Sequence, residues 1–307
     1  MCIRDRPYIV RMKTAGSLRP RSSGFFDTGM SAAAMGAASA ALLLVSFPPY
    51  DLNFCAFAAL APVLLVVYSS TPARAFATGA VFGSLFFSMH LSWVNAYLPV
   101  VGVAFVTVVY GGCIAVCLLA LNLAAGAFPS LRAPLTPFVW GAVEYGRSFG
   151  FLGTTFGSIG CSQHGFTQLI QAADIGGEPL IGFIVVFFNA GLAHLVVSEL
   201  AAAGEAPAQR VPRPAAPTPK PPRPEARMTG EFRPGERLSR LRRLGAYAPL
   251  AASSALIAAA LLYGAAGMKD PLPEGPSTKL ALIQGLSSPR SAWKREKWDT
   301  LTRLISL

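Results

Sequence analysis

Seven apolar stretches, at 29–47, 52–68, 75–94, 99–123, 134–149, 179–200 and 246–264, constrain this chain more than any other feature. A helix needs about 20 mostly apolar residues to cross a bilayer, and these stretches approach or meet that length. The whole chain is 53% apolar and only 13% charged, with a mean hydropathy of +0.48, whereas a typical soluble domain is about 25% charged. The expected fold is a polytopic α-helical membrane domain of about seven spans. The stretch 134–149 is the weakest of the seven, being short, glycine-containing and interrupted by Glu144.

The formal net charge of +11 sits where membrane topology would put it. Arg4, Arg6, Arg11, Lys13, Arg19 and Arg21 crowd a basic N-terminus at 1–28, and a second cluster runs between Arg210 and Arg243. Both flank apolar spans, as cytoplasmic segments do under the positive-inside rule. No nucleic-acid-reading motif accompanies the charge, which argues against a nucleic-acid partner. With the N-terminus cytoplasmic, Arg74, Arg132 and the second cluster fall inside, while 48–51, 95–98 and 150–177 carry almost no Lys or Arg. Six spans then occupy 29–200 and the seventh 246–264, leaving 265–307 outside the cell membrane. The first stretch leads into Phe47-Pro48-Pro49-Tyr50 rather than a small-residue cleavage site, so it reads as a span and not as a cleaved signal peptide. Between the sixth and seventh spans, 201–245 is a proline-rich basic linker, expected to be extended. Its end, from Arg237 to Leu244, suits either a short helix on an anionic leaflet or a plain stop-transfer cluster.

Ionisable groups inside spans are costly and default to a functional reading. Glu144 and Arg147 are spaced i, i+3 and are expected to form an ion pair on one helix face. The sequence from Phe149 to Gly165 is too polar and glycine-broken to span, yet too apolar for a solvated loop, and reads as re-entrant or interfacial. The plain alternative is two helices locked by an ion pair beneath a capped loop. His164 reads as a solvated interfacial side chain, and Tyr50, Trp93 and Tyr97 as part of an aromatic belt or a lipid-handling surface. Cys55, Cys113, Cys117 and Cys161 lie in or beside apolar stretches with no histidine or second cysteine pair to complete a metal set. No metal or other cofactor is implied.

Near its end the chain changes character. A strand-like stretch at 279–285 precedes a charged amphipathic segment from Trp293 to Leu307. One strand and one helix cannot bury a core, so the expectation is the first element of a soluble domain that continues beyond residue 307.

The sequence as a whole resembles the bacterial apolipoprotein N-acyltransferases, members of the carbon–nitrogen hydrolase superfamily. The stretches 47–67, 83–97, 144–163, 174–190 and 280–293 carry the resemblance in order. The 144–163 block aligns without gaps with a family block, keeping Gly153 of a Gly-Phe-Pro-Trp motif but placing Thr154, Thr155 and Phe156 where Phe, Pro and Trp are usual. The resemblance implies an inner-membrane enzyme with an extracytoplasmic nitrilase-like α/β domain. Its Glu, Lys and Cys, expected beyond residue 307, would move an acyl chain from a phospholipid, through a thioester, to the α-amine of a diacylglyceryl cysteine on an apolipoprotein. The chain by itself is expected to be inactive. By the same resemblance, substrate-facing roles fall to Trp293, Phe156, Gly153, Glu144, Arg147 and Gln163, with Ser162 in the same block. Trp293 reads equally well as a residue packing a helix onto a sheet. A transporter or channel, a membrane-anchored amidase of the same superfamily, and a scaffold without an active site are the rival readings. The transporter is disfavoured because the ionisable groups gather at one face and no internal repeat is present.

Overall fold

The computed structural model describes residues 29–96, 100–150, 153–202 and 234–269, and every regular element among them is helical. In chain order these are α1 (Gly29–Val45), α2 (Ala56–Ala59), α3 (Ala61–Ser69), α4 (Pro72–His90), α5 (Val100–Ala127), α6 (Arg132–Arg147), α7 (Thr167–Ile170), α8 (Ala173–Ala202) and α9 (Pro234–Gly267). The end where α1, α4 and α6 finish and α5 and α8 begin is the upper end below.

The seven-span expectation is corrected. Among the described residues three helices are long and apolar enough to cross a membrane: α5, α8 and the part of α9 from Leu244 to Gly267. They make this a multi-pass membrane protein. The other four stretches fall short for separate reasons. Helix α1 has 17 residues. The second stretch is broken into a 3-10 turn, α2 and α3. Helix α4 has the length but carries Arg74, Thr78, Ser84, Ser88 and His90. Helix α6 has 16 residues, ends on Arg147, holds Glu144 and has Pro137 inside it. The α/β element expected after the last span is not seen, since no strand occurs among the described residues and both the 279–285 stretch and Trp293 lie outside them. Helix α9 begins at Pro234, within the basic stretch read as linker.

The break in the second stretch has a cause and a remedy. Pro62 has no N–H, and its ring pushes against the carbonyl four residues back. The helix parts at Leu60, and the carboxamide of fully buried Asn189 on α8 fills the gap. Its Oδ1 accepts from Leu60 N (2.9 Å) and Ala61 N (3.0 Å), and its Nδ2 donates to Ala56 O (2.9 Å). Ser39 Oγ on α1 takes the next free donor, Val63 N, at 3.2 Å. At the lower end Asn122 Nδ2 on α5 donates to Val67 O (2.6 Å) and Ser70 O (3.1 Å), closing the end of α3.

Small residues let the long helices approach. A Cβ on Gly83 of α4 would lie 2.8 Å from Gly111 Cα of α5, so only glycine allows that contact, and Gly191 of α8 sits as closely against Leu250 of α9. The main core includes Phe82, Phe86, Phe87, Leu118, Trp140 and Ile159. Helix α8 bends at Gly176 and Gly177 (φ 69°) and resumes at Glu178-Pro179, which sets Glu178 at the start of its regular run.

Asn189→Ala would orphan three backbone groups, two of them buried, at about 1–3 kcal/mol for each buried one. The expected outcome is a markedly lower thermal midpoint for the purified protein in detergent. Asn189→Asp should not rescue it, because a carboxylate cannot donate to Ala56 O. A midpoint unchanged in both variants would rule out this role for the carboxamide.

Candidate functional site

At the upper end α6 delivers Glu144 and Arg147 to the loop that follows it. The expected ion pair between them does not form; each closes on the loop instead. Arg147 Nη1 donates to Phe156 O (2.6 Å) and Nη2 to Ser158 Oγ (3.4 Å), while Glu144 Oε1 accepts from Ile159 N (3.0 Å). Arg147 is 7% exposed as a residue, and its guanidinium lies over the rings of Phe87 (5.2 Å) and Tyr110 (5.6 Å). Such cation–π contacts suit a desolvated arginine. Spacing along a helix shows that two side chains share a face, but not that a neighbouring backbone will outbid each for the other.

The loop obeys this grip. Gly153 N closes a turn onto Gly150 O (2.9 Å), and Thr154 N reaches Arg147 O (3.2 Å). Gly157 adopts φ +73° against the Phe86 ring, where a Cβ would come within 2.8 Å of Phe86 Cε1, so a side chain there is excluded twice over. Phe156 thereby meets Trp93 edge to face, with centroids 5.4 Å apart. Ile159–Gln163 form a 3-10 turn in which Ser162 and Gln163 are fully buried. Gln163 Nε2 donates to Asn53 O (2.9 Å) and Ser162 Oγ (2.9 Å), and Asn53 Nδ2 returns a bond to Ser162 O (2.5 Å).

The fold thus brings Glu144, Arg147, Gly153, Phe156, Ser162 and Gln163 together, while Trp293 lies outside the described residues. Sequence reasoning passed over Asn53, Phe87, Tyr110 and Glu178. Only Glu178 carried a readable signal, an acidic residue directly before the proline that opens an apolar run. His164 is half exposed and meets Asp51, Nε2 to Oδ1, at 3.3 Å.

Two cavities adjoin the loop. The outer one, about 320 Å³, is lined by Phe47, His90, Phe156, Cys161 and His164 among others. The other, about 80 Å³, lies between α6 and α8. Among the described residues no cluster of three His, Cys, Asp or Glu could hold a metal ion. Cys161 faces the outer cavity but is a poor nucleophile. Partial burial, then the carboxylates of Glu178 and Glu144, push its thiol up to about 11 against the opposing pull of Arg147.

The stretch that builds this site is the stretch that known proteins share. Residues 39–191 match the model of the apolipoprotein N-acyltransferase N-terminal domain. An apolipoprotein N-acyltransferase of Geobacter metallireducens is 30% identical over 171 residues, which are 53% of this chain and 33% of that protein. An apolipoprotein N-acyltransferase 1 of Treponema denticola is 31% identical over 172 residues, 54% of this chain and 30% of the relative. One of Treponema pallidum is 32% identical over 142 residues, covering 45% and 25% respectively. The chain belongs to the apolipoprotein N-acyltransferase family. The chain matches a third or less of the length of these family members, and the family-model match at 39–191 takes in every residue of the Glu144–Arg147 clamp and of the loop between Gly153 and Gln163.

Cys161 offers a direct check on the electrostatics. The thiolate is the reactive form, and an ordinary cysteine has a pKa of about 8.5. In a variant retaining Cys161 alone, alkylation by iodoacetamide at pH 7.5 is expected to be on the order of a hundredfold slower than for a free peptide thiol. Because the folded pKa is raised, the rate should keep climbing past pH 10 rather than level off near 9. Early levelling would contradict the carboxylate environment described here.

Proposed function

We propose that this chain supplies the membrane domain of an enzyme that moves an acyl chain from a phospholipid to the N-terminal amine of the diacylglyceryl cysteine of an apolipoprotein. The observation that carries the reading is that the matched residues, 39–191, are those that build the clamped loop and both cavities at the upper end. In the first step a cysteine thiolate attacks the acyl ester, a C–S bond forms, and the ester C–O bond breaks to release a lysophospholipid. In the second, the lipoprotein amine attacks the thioester, forming the amide and freeing the thiolate. That cysteine belongs beyond residue 307. Cys161, with its raised pKa and its place in the loop, does not fill the role.

On this reading the upper end faces the extracytoplasmic side of the inner membrane. Arg74 and Arg132, which start α4 and α6 at the opposite end, then lie on the cytoplasmic side with the basic stretch before α9, as the positive-inside rule favours. The N-terminus is cytoplasmic and the chain after α9 extracytoplasmic. Trp93 and Phe156 form an apolar edge for the acyl chain of the donor. Glu144, Arg147, Gly153 and Gln163 hold that edge in place. Trp293, which lies outside the described residues, is assigned a substrate-facing role by the family resemblance alone.

The test is a chimera. Residues 39–191 replace the matching segment of the Geobacter metallireducens protein, and acyl transfer from phospholipid to a fluorescent diacylated lipopeptide is measured in membranes. The chimera is expected to turn over, and Arg147→Gln within it to lose about tenfold in kcat/KM, near 1.4 kcal/mol of transition-state stabilisation. The 307-residue chain alone is expected to give no transfer. A correctly inserted but inactive chimera, or clear turnover by the chain alone, would overturn the proposal.

A further inference from the structure

Helix α9 is fastened to the rest of the molecule at two heights. Its apolar part is the least buried of the three spanning helices. Lower down, Pro249 and Leu250 press on Gly191 of α8, where a Cβ would come within 2.8 Å of Leu250 Cα. About 20 Å further up the helix, at 1.5 Å per residue, Tyr263 Oη donates to Asp174 Oδ2 (2.6 Å) on the first turn of α8. The next residue, Gly264, has no room for a Cβ, which would collide with the backbone carbonyl of Gln168 on α7. Leu169 and Ala172 pack there with Ile181 and Ile184 of α8 and Ala260 of α9, in a small core separate from the main one.

Helix α7 is also the continuation of the clamped loop. Phe166 N donates to Gln163 O (2.8 Å), and Leu169 N and Ile170 N both donate to Phe166 O (2.9 and 3.1 Å). Gly165 lies so close to Asn53 that a Cβ would stand 2.7 Å from its Oδ1. The turn Ile159–Gln163, α7 and the top of α9 are therefore joined without a gap. The join to α9 is the weakest part of that series. Its polar component is one hydrogen bond between exposed side chains, where water competes for both partners. The bend at Gly176 and Gly177 (φ 69°) stands between Asp174 and the regular run of α8, so the turn that carries Asp174 can move while that run stays in place.

We infer that Tyr263, Asp174 and Gly264 form a latch through which α9, pivoting at Gly191, holds the Ile159–Gln163 turn in place. With the latch open, the upper end of α9 swings away from α7 and the wall that Cys161 and His164 give to the outer cavity loosens. The direction in which the chain leaves α9 is set at the same contact. The device does not depend on the acyl-transfer proposal: it couples α9 to the loop whatever chemistry takes place beside them.

The test follows backbone amide exchange by mass spectrometry in the 307-residue chain in detergent, over 159–170 and, as a reference, over 60–64. Gly264→Ala is expected to speed exchange over 159–170 at least about tenfold, because its Cβ must push α9 off Gln168. Gly267→Ala, the same change one turn higher with nothing within 4 Å of the new Cβ, should leave it unaltered. Tyr263→Phe should speed it about threefold, as the loss of one exposed hydrogen bond predicts. Asp174→Asn, which keeps an acceptor for the tyrosine, should not. If Gly264→Ala fails to fold, Tyr263→Phe against Asp174→Asn decides. Exchange over 159–170 that stays unchanged in the folded variants, or that rises as much in Gly267→Ala as in Gly264→Ala, would sink the inference. So would an equal rise over 60–64, which would show a general loosening of the fold in place of a local latch.

Discussion

One side-chain amide holds the lower architecture to the upper. Asn189 lies where α2 and α3 part, and its carboxamide replaces backbone bonds that the break at Pro62 removes. In a membrane this is a stringent requirement, because no water waits to take the freed donors. Ser39 and Asn122 complete the repair from α1 and α5, so three neighbouring helices each lend a polar group to one broken segment. The repair fixes where that segment begins. Asn53, just before α2, is thereby brought against Ser162 and Gln163, and the floor of the upper-end loop is tied to the packing of α8.

The polar groups fall into two populations. Those that repair the second stretch are fully used. Among the described residues five buried side-chain atoms lack a hydrogen-bond partner, and four of them belong to Trp140, Arg147, Gln163 and Glu178. All four residues surround the loop at the upper end; the fifth, Thr107, belongs to α5. Buried polar groups are normally paired. Their shared location therefore distinguishes this end from the rest of the molecule more sharply than any single residue does.

Much of that end could be read in the sequence, and the rest was hidden for identifiable reasons. The run from Glu144 to Gln163 stood out because ionisable and amide residues interrupt apolar sequence, and the structure gathers those residues. The pairing of Glu144 with Arg147 was misjudged because i, i+3 spacing carries no information about a loop arriving from outside the helix. The span count was too high because a window of apolar letters registers composition but neither the proline break at 62 nor the polar residues spread along α4. Asn189 and Asn122 were visible as amides in apolar runs, but their partners lie 129 and 55 residues away. No local pattern points that far. The α/β element and Trp293 fall outside the described residues and remain sequence readings.

The loop is also a wall shared by two cavities. Thr155 lines both, with Phe156, Gly157 and Cys161 turned to the outer one and Ser158 to the one between α6 and α8. Its position is set by a carboxylate and a guanidinium from one helix face, pulling on backbone groups only three residues apart, Phe156 O and Ile159 N. Had Glu144 and Arg147 paired with each other, the loop would have lost both holds at once, and Phe156 would have no fixed place against Trp93. The cost of keeping them apart is a carboxylate and a guanidinium that each lack a full counter-charge in a poorly solvated site. That cost is tolerable only because the loop backbone, the two aromatic rings and the remaining acceptors around Glu178 divide the work of solvation. The geometry of the outer cavity and the charge balance of the inner one are therefore properties of the same few bonds.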